Sequence, residues 1–230
     1  MICRMSVLRA AVAGTLIGAG ALGAQVTTVD EGSFTITRNG QMVGREEFTI
    51  RSTPGARGAQ FVARGTVSYT DRRLAPALSA DSSGAPLQYQ VEVKAGAEME
   101  EMLSGRVGRG RFSARILTPK GESAREYIVS DGALIIDDDV FHQYFFLARA
   151  GRAGTVPVVV PRRNVQLSMQ VSPQGEEQLS IGGRALAARR LLLTEPGGAT
   201  RDVWVDASGR VLQVAIPARG VVAVRDDPPK

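Results

Sequence analysis

Apolar and polar residues alternate along segment after segment of this chain, and this period of two constrains the fold more than any other feature. A β-strand points successive side chains to opposite faces, so an alternating segment has one apolar and one polar face. The apolar members of the clearest segments are Phe34 and Ile36; Phe48 and Ile50; Phe61, Ala63, Val67 and Tyr69; Leu87, Tyr89, Val91 and Val93; Phe112, Ala114 and Ile116; and Val165, Leu167, Met169 and Val171. Each segment predicts a strand with one face on a core and the other in solvent.

The connections between these segments are short and turn-like. Asn39-Gly40 separates the first two segments, and this dipeptide favours a two-residue hairpin turn because both positions take a positive φ. Asp81-Ser82-Ser83-Gly84 and Asp206-Ala207-Ser208-Gly209 are similar turn sequences. We therefore predict an all-β dominated fold, an antiparallel meander of ten or more strands that forms a curved sheet or half-barrel.

One stretch, residues 137–151, departs from the alternation. Phe141, Tyr144, Phe145 and Ala148 share one stripe at helical spacing, and Gly151 suits the end of a helix. Asp137-Asp138-Asp139 precedes the stripe, where acidic residues interact favourably with the helix N-terminus. The pattern predicts one short helix with an acidic cap, packed by its aromatic face on the sheet.

The N-terminus has the features of a secretory signal. Arg4 and Arg9 precede an apolar run of about 14 residues, which is shorter than the roughly 20 that span a bilayer. Cleavage is expected after Ala24 or one residue earlier. The predicted organisation is a signal peptide at 1–24, a single antiparallel β domain at 25–225 and a flexible tail at 226–230, with a periplasmic or otherwise exported location.

Composition excludes several functional classes. Cys3 is the only cysteine and lies in the segment expected to be removed, so the exported part would have no disulfide and no thiolate metal site. The formal charge is +5, and the arginines are spread singly instead of gathered with aromatic residues, which argues against a nucleic-acid partner. Arg162-Arg163 is interpreted as part of a solvated loop.

The remaining candidates for chemistry are weak. His142 is the only histidine and no nucleophile elbow accompanies it, so we interpret it as a packing or capping residue and predict no catalytic residue. The three aspartates could supply oxygen ligands to calcium, but consecutive side chains diverge and no glycine-turned calcium loop follows. We therefore expect no metal site, no cofactor and no enzyme activity.

The long meander with a helix against its concave face resembles the bacterial LolA/LolB-like lipoprotein-carrier half-barrel and related exported β proteins. The resemblance rests on the hairpin at 32–50, on residues 136–161, and on Val203-Trp204-Val205-Asp206 with Gly209-Arg210-Val211-Leu212. It implies an apolar cavity between sheet and helix that holds acyl chains.

Two functions remain open from the sequence. The first is a non-catalytic binder or carrier of a lipid-like or other apolar ligand, recognisable by an unfilled cavity between helix and sheet. The second is a structural or assembly module of the envelope that acts through protein contacts or an open strand edge, recognisable by a filled core beside an exposed apolar patch. The candidate ligand-binding residues for the first function are Phe141, Tyr144, Phe145, Phe146, Tyr89 and Met169.

Overall fold

A computed structural model describes residues 25–55 and 58–230. The predicted signal peptide at 1–24 lies outside these residues. Fifteen strands and one α-helix account for most of the described chain. The prediction of an all-β fold with ten or more strands and one short helix is confirmed.

The strands follow one another with short connections in the first half of the chain. Strands β1 to β8 span Thr27–Arg38, Gln41–Gly55, Gly58–Tyr69, Arg73–Asp81, Pro86–Ala95, Glu98–Gly108, Arg111–Thr118 and Gly121–Ile128. In the turn between β1 and β2, Asn39 has a φ of 50° and Gly40 a φ of 79°. Both positive angles fit the predicted two-residue hairpin turn.

A longer connection with little strand character follows β8. It contains β9 (Leu134–Ile135) and the helix α1 (Tyr144–Ala150). Strands β10 to β15 then span Gly154–Val160, Val165–Ile181, Arg184–Thr194, Thr200–Val205, Val211–Ile216 and Val221–Arg225. Short 3-10 helices at Pro161–Arg163 and Pro217–Arg219 connect β10 to β11 and β14 to β15.

All fifteen strands form one curved sheet that does not close. The order is β8-β7-β6-β5-β4-β3-β2-β1-β15-β14-β13-β12-β11-β10-β9, so β1 and β15 are neighbours near the middle. Every pair is antiparallel except β9 with β10, which are parallel. The edges of the sheet are therefore β8 on one side and the two-residue β9 on the other.

The core lies on the concave side of the sheet. The alternating apolar residues of the strands converge there, as Phe34, Ile50, Leu74 and Tyr89 illustrate with exposures of 0%. Residues 133–148, which we call the inner segment, run through this concave side and belong to the same apolar cluster. The chain thus fills its own half-barrel.

A second, smaller apolar cluster lies on the opposite face. It consists of Ile181, Ala188, Trp204 and Leu212, with Leu179 and Leu186 packed against it. A register shift between Pro173 and Gly175 interrupts the β11–β12 hairpin, whose far end reaches Trp204. The hairpin end therefore covers part of the outer face of β13 and β14.

Candidate functional site

The structure brings the six predicted ligand-binding residues together, and it buries all of them. Phe141, Tyr144, Phe145 and Phe146 lie on the inner segment and are at most 2% exposed. Tyr89 of β5 and Met169 of β11 are 0% exposed and belong to the same cluster. The Phe145 ring meets the rings of Phe61 and Phe146 edge-on, with centroids 6.0 and 5.5 Å apart.

A cavity near the helix is small. It lies between the C-terminal end of α1 and strands β11 and β12, is lined by Leu147, Ala148, Pro173 and Leu191 among others, and has a volume of about 80 Å³. Pockets that hold drug-sized ligands measure roughly 300–1,000 Å³. This cavity is therefore too small for an acyl chain.

The inner segment is fixed by ion pairs as well as by apolar packing. Asp139 accepts hydrogen bonds from Arg219 at 2.6 Å, Arg72 at 3.1 Å and Arg162 at 3.2 Å. Burial raises the pKa of Asp139, but the hydrogen bond and charge of Arg219 act against it, together with the other two arginines. The net effect lowers the pKa of Asp139, so this carboxyl group is charged at neutral pH.

Asp137 lies deeper than Asp139. Its carboxylate accepts hydrogen bonds from the Tyr89 hydroxyl at 2.9 Å and from Arg162 at 3.0 Å. Burial raises the pKa of Asp137, and the charge of Arg162 opposes the shift. Burial and the adjacent Asp137 charge also raise the pKa of Tyr89, which remains a neutral donor.

The third aspartate belongs to a separate cluster. Asp138 forms an ion pair with Arg201 at 2.7 Å, and Arg201 also contacts Glu195 at 2.5 Å. The same guanidinium donates to the Tyr144 hydroxyl at 2.9 Å, which connects the cluster to the first residue of α1. Burial raises the pKa of Tyr144, although the charge of Arg201 opposes this shift.

The predicted acidic helix cap is wrong. The helix begins at Tyr144, with Gln143 at its N-cap and no acidic residue in its first turn. The three aspartates precede the helix and pair with arginines from distant parts of the chain. The predicted helix end is correct, because Gly151 takes the left-handed conformation there.

The interpretation of Arg162 as part of a solvated loop is also wrong, because its side chain is 17% exposed and pairs with Asp137. Sequence reasoning missed the arginine partners Arg72, Arg201 and Arg219 as well. The available signal was the aspartate run itself. Three carboxylates beside a strongly apolar stretch are buried only when cations accompany them.

His142 and Glu46 form a fully buried pair. Both side chains are 0% exposed, and the His142 Nδ1 atom contacts a Glu46 carboxylate oxygen. The other Glu46 oxygen accepts a hydrogen bond from the Phe141 backbone N–H at 2.8 Å. Gly65 makes room for the imidazole, because a Cβ atom at that position would lie 2.9 Å from His142 Cε1. The pair joins the inner segment to β2.

The strand edge at β8 is exposed over most of its length. Every residue from Gly121 to Ala124 is exposed, whereas both residues of β9 at the other edge are buried. The C-terminal half of β8, from Arg125 to Ile128, meets the far side of the sheet. There the Gln166 side chain of β11 accepts from the Ile128 N–H at 3.0 Å and donates to the Ile128 carbonyl at 2.5 Å.

Exposed apolar side chains and open grooves lie next to this edge. Met102 of β6 and Leu117 of β7 are 42% and 37% exposed and are direct cross-strand partners, and Ile128 at the end of β8 is 65% exposed. A groove of about 440 Å³ crosses the outer face of β6, β7 and β8, where Ser104, Ser113 and Ala124 line it. This half of the outer surface combines one exposed apolar pair, Met102 with Leu117, with an open edge.

The residues at 25–55 and 58–230 contain no group of three or more His, Cys, Asp or Glu side chains placed to hold a metal ion. No helix in this described part of the chain is long and apolar enough to cross a membrane.

No family model and no curated protein matches the chain. Among solved structures, it is similar to a β-barrel-like protein of the domain of unknown function DUF1849 from Brucella abortus. The two chains are 8% identical, with a TM-score of 0.54 over 86% of this chain and 95% of the other. At this identity the similarity supports a β-barrel-like fold alone, and a specific likeness to the LolA/LolB family stays a prediction.

Proposed function

We propose that this protein is a non-catalytic, exported module of the bacterial envelope that acts through protein–protein contacts. The observation that carries the proposal is the filled concave face. The side chains that would line a carrier's cavity are at most 2% exposed, because the inner segment occupies the half-barrel. Ion pairs of Asp139 and Asp138 with arginines, and the buried contact between His142 and Glu46, fasten that segment to the sheet.

The outer surface supports the same proposal. Met102 and Leu117 are exposed apolar neighbours beside β8, where backbone groups have no strand partner. A filled core with an apolar patch at a sheet edge fits a protein that binds another protein with its outer face. The lipid-carrier hypothesis would need the inner segment to leave the concave side, which would separate Asp139 from its three arginines.

Native mass spectrometry of protein purified gently from an exporting bacterial host tests the choice between the two functions. We expect a clean mass without a lipid adduct, and an N-terminus that begins after residue 23 or 24. A stoichiometric lipid-sized adduct would overturn the proposal in favour of a carrier. An N-terminus at Met1 in the cytoplasmic fraction would overturn the export part.

Site-specific cross-linking in living cells tests the protein contact. A photoreactive amino acid is placed singly at the exposed apolar positions Val26, Met42, Met102, Leu117 and Ile128. We expect one or more positions to give a product of a single defined mass that contains the same envelope protein in repeated experiments. The absence of such a product from all five positions would refute the proposed contact.

A further inference from the structure

The outer edge of β8 carries backbone groups without a strand partner. Val129 N–H bonds to the Gly110 carbonyl beside β7, whereas the Ile128 N–H points the other way, to Gln166. Because the direction alternates along a strand, the N–H and C=O groups of Glu122, Ala124 and Glu126 also point away from β7. In the part of the chain that the structure describes, no strand pairs with this edge.

Gln166 shows how such groups are satisfied. Its primary amide both accepts from and donates to the backbone of Ile128, as the peptide group of a neighbouring strand would. The three outward-facing residues before Ile128 offer the same pair of groups at successive steps along the edge. An extended chain laid against β8 would repeat the Gln166 contact at each step.

The side chains of β8 constrain what can lie beside it. Glu122, Ala124 and Glu126 are exposed and share the outer face. Arg115 donates to Glu122 at 2.5 Å and Arg111 to Glu126 at 3.2 Å. The hydrogen bond from Arg115 lowers the pKa of Glu122, which is therefore charged at neutral pH.

Opposite charges stabilise directly facing positions of neighbouring strands, and like charges destabilise them. A strand added to β8 is therefore favoured when it has basic residues opposite Glu122 and Glu126. A small or apolar residue between them would face Ala124. Facing positions on one face recur every second residue, so the two basic residues would be four apart in the partner sequence.

A second copy of β8 does not meet this requirement. Two antiparallel registers pair most of the strand with a second copy. In the first, Ala124 of one copy faces Ala124 of the other, and Glu122 of each copy faces Glu126 of the other. In the other, Arg125 faces its own copy, and Glu122 faces Ile128, whose backbone groups are already bonded to Gln166. Both registers oppose like charges, so the edge suits a different chain.

Resting on the proposed function, we infer that β8 is a strand-addition site for an extended segment of a partner protein that carries two basic residues four positions apart, with a small apolar residue midway. The partner's central residue would lie against Ala124, next to the groove across β6 to β8.

The test uses a synthetic peptide, acetyl-Ser-Thr-Lys-Thr-Val-Thr-Lys-Thr-Ser-amide, and its counterpart with Glu in place of both Lys residues. Binding is followed by NMR, with amide hydrogen exchange read at each β8 residue of the exported protein. We expect the Lys peptide to slow exchange at Glu122, Ala124 and Glu126. We expect the Glu peptide to bind about tenfold more weakly. Equal binding of the two peptides, or slowing elsewhere but not on β8, would overturn the inference.

Charge variants supply a matched control. Glu122→Gln combined with Glu126→Gln should weaken the Lys peptide about tenfold. Glu98→Gln combined with Glu100→Gln removes the same charge from exposed positions of β6 and should leave binding unchanged. An equal loss in both double variants would indicate general electrostatic attraction and contradict strand addition.

Blocking the backbone tests the pairing itself. Ala124→Pro removes an edge N–H that β7 does not use, and edge strands tolerate proline at such positions. We expect loss of peptide binding with the fold retained. If Ala124→Pro does not fold, the test uses the unchanged protein and a Lys peptide that is N-methylated at its central valine. Binding of this peptide at full strength would exclude strand addition. Failure of the peptide tests together with a protein cross-link from Val26 or Met42 would overturn this inference and leave the proposed function standing.

Discussion

At the scale of single residues, buried polar side chains with matched partners fasten this interior. Glu46 illustrates the point, because it lies fully buried among apolar side chains of the core. Its two oxygens are used by His142 Nδ1 and by the Phe141 N–H. Such a group is tolerated only with its partners in place, since a buried polar group without a hydrogen-bond partner is costly.

Glu46→Ala should lower the free energy of unfolding by about 3 kcal/mol, because it leaves the partners of the carboxylate unpaired. Urea unfolding followed by circular dichroism measures the change. Glu47→Ala is the matched control: its side chain is 72% exposed, and we expect a change within about 0.5 kcal/mol. Equal effects of the two substitutions would show that Glu46 has no special role.

Asp139 should make stability depend on pH. Its pKa in the folded protein lies below the ordinary value, so it contributes stability above the unfolded-state pKa and loses that contribution as pH falls through the folded-state pKa. Asp139→Asn should therefore destabilise the protein by about 3 kcal/mol at pH 7.

The difference between Asp139→Asn and the unchanged protein should shrink as the pH falls through the lowered folded-state pKa of Asp139, because the native carboxyl group then also becomes neutral. Unfolding free energies measured across this pH range provide the check. A difference that stays constant with pH would mean that the charge of Asp139 is not what stabilises the inner segment.

At the scale of elements, strands were predictable and the inner segment was only partly so. Alternation is a local signal, and residues such as Tyr89, Val91 and Phe112 are buried on the face that the alternation predicts. The start of α1 was not predictable, because it depends on contacts such as Asp139 with Arg219, which is 80 residues away. Helical spacing identified Phe141, Tyr144 and Phe145 of the candidate site, but that spacing could not indicate whether these side chains line a cavity or fill it.

The β11–β12 hairpin can be monitored by the single tryptophan. Trp204 is 8% exposed, and Ile181 from the hairpin end belongs to the same outer cluster. Ile181→Ala should loosen the hairpin, shift tryptophan fluorescence to longer wavelength and reduce stability by about 2–4 kcal/mol. Met42→Ala, at a side chain that is 66% exposed, should leave the emission unchanged. An unshifted emission in Ile181→Ala would mean that the hairpin does not control access to Trp204.

At the scale of the whole molecule, the sheet remains open because no backbone hydrogen bonds pair β8 with the strands at the other edge. Side-chain contacts join the two edges instead. Tyr127 donates from its hydroxyl to the Asn164 side chain at 3.0 Å, and Gln166 binds Ile128. These contacts bring the end of β8 to the start of β11. The rest of β8 is left as an edge, and Glu122 and Glu126 along it disfavour pairing with a second copy of the same strand.

Gln166→Leu should remove the contact between the Gln166 side chain and the Ile128 backbone without unfolding the protein. The Ile128 amide would exchange faster, because its acceptor is removed, while the adjacent Val129 amide keeps its bond to Gly110 and serves as an internal control. Residue-resolved hydrogen exchange measures both. Faster exchange at both amides would indicate that the substitution had loosened β8 as a whole, and not only the contact with residue 166.

The pairing of β1 with β15 has a consequence for how the chain is made. These neighbours in the middle of the sheet are separated by nearly the whole described sequence, since Phe34 faces Arg225 and Arg225 binds Asp30. A ribosome delivers β1 first and β15 last, so the centre of the sheet is the last part that synthesis can complete. Such long-range pairing slows folding. Until the final strand arrives, β1 presents an unpaired edge, and a chain in this state can still be threaded through a translocation channel or captured by a chaperone.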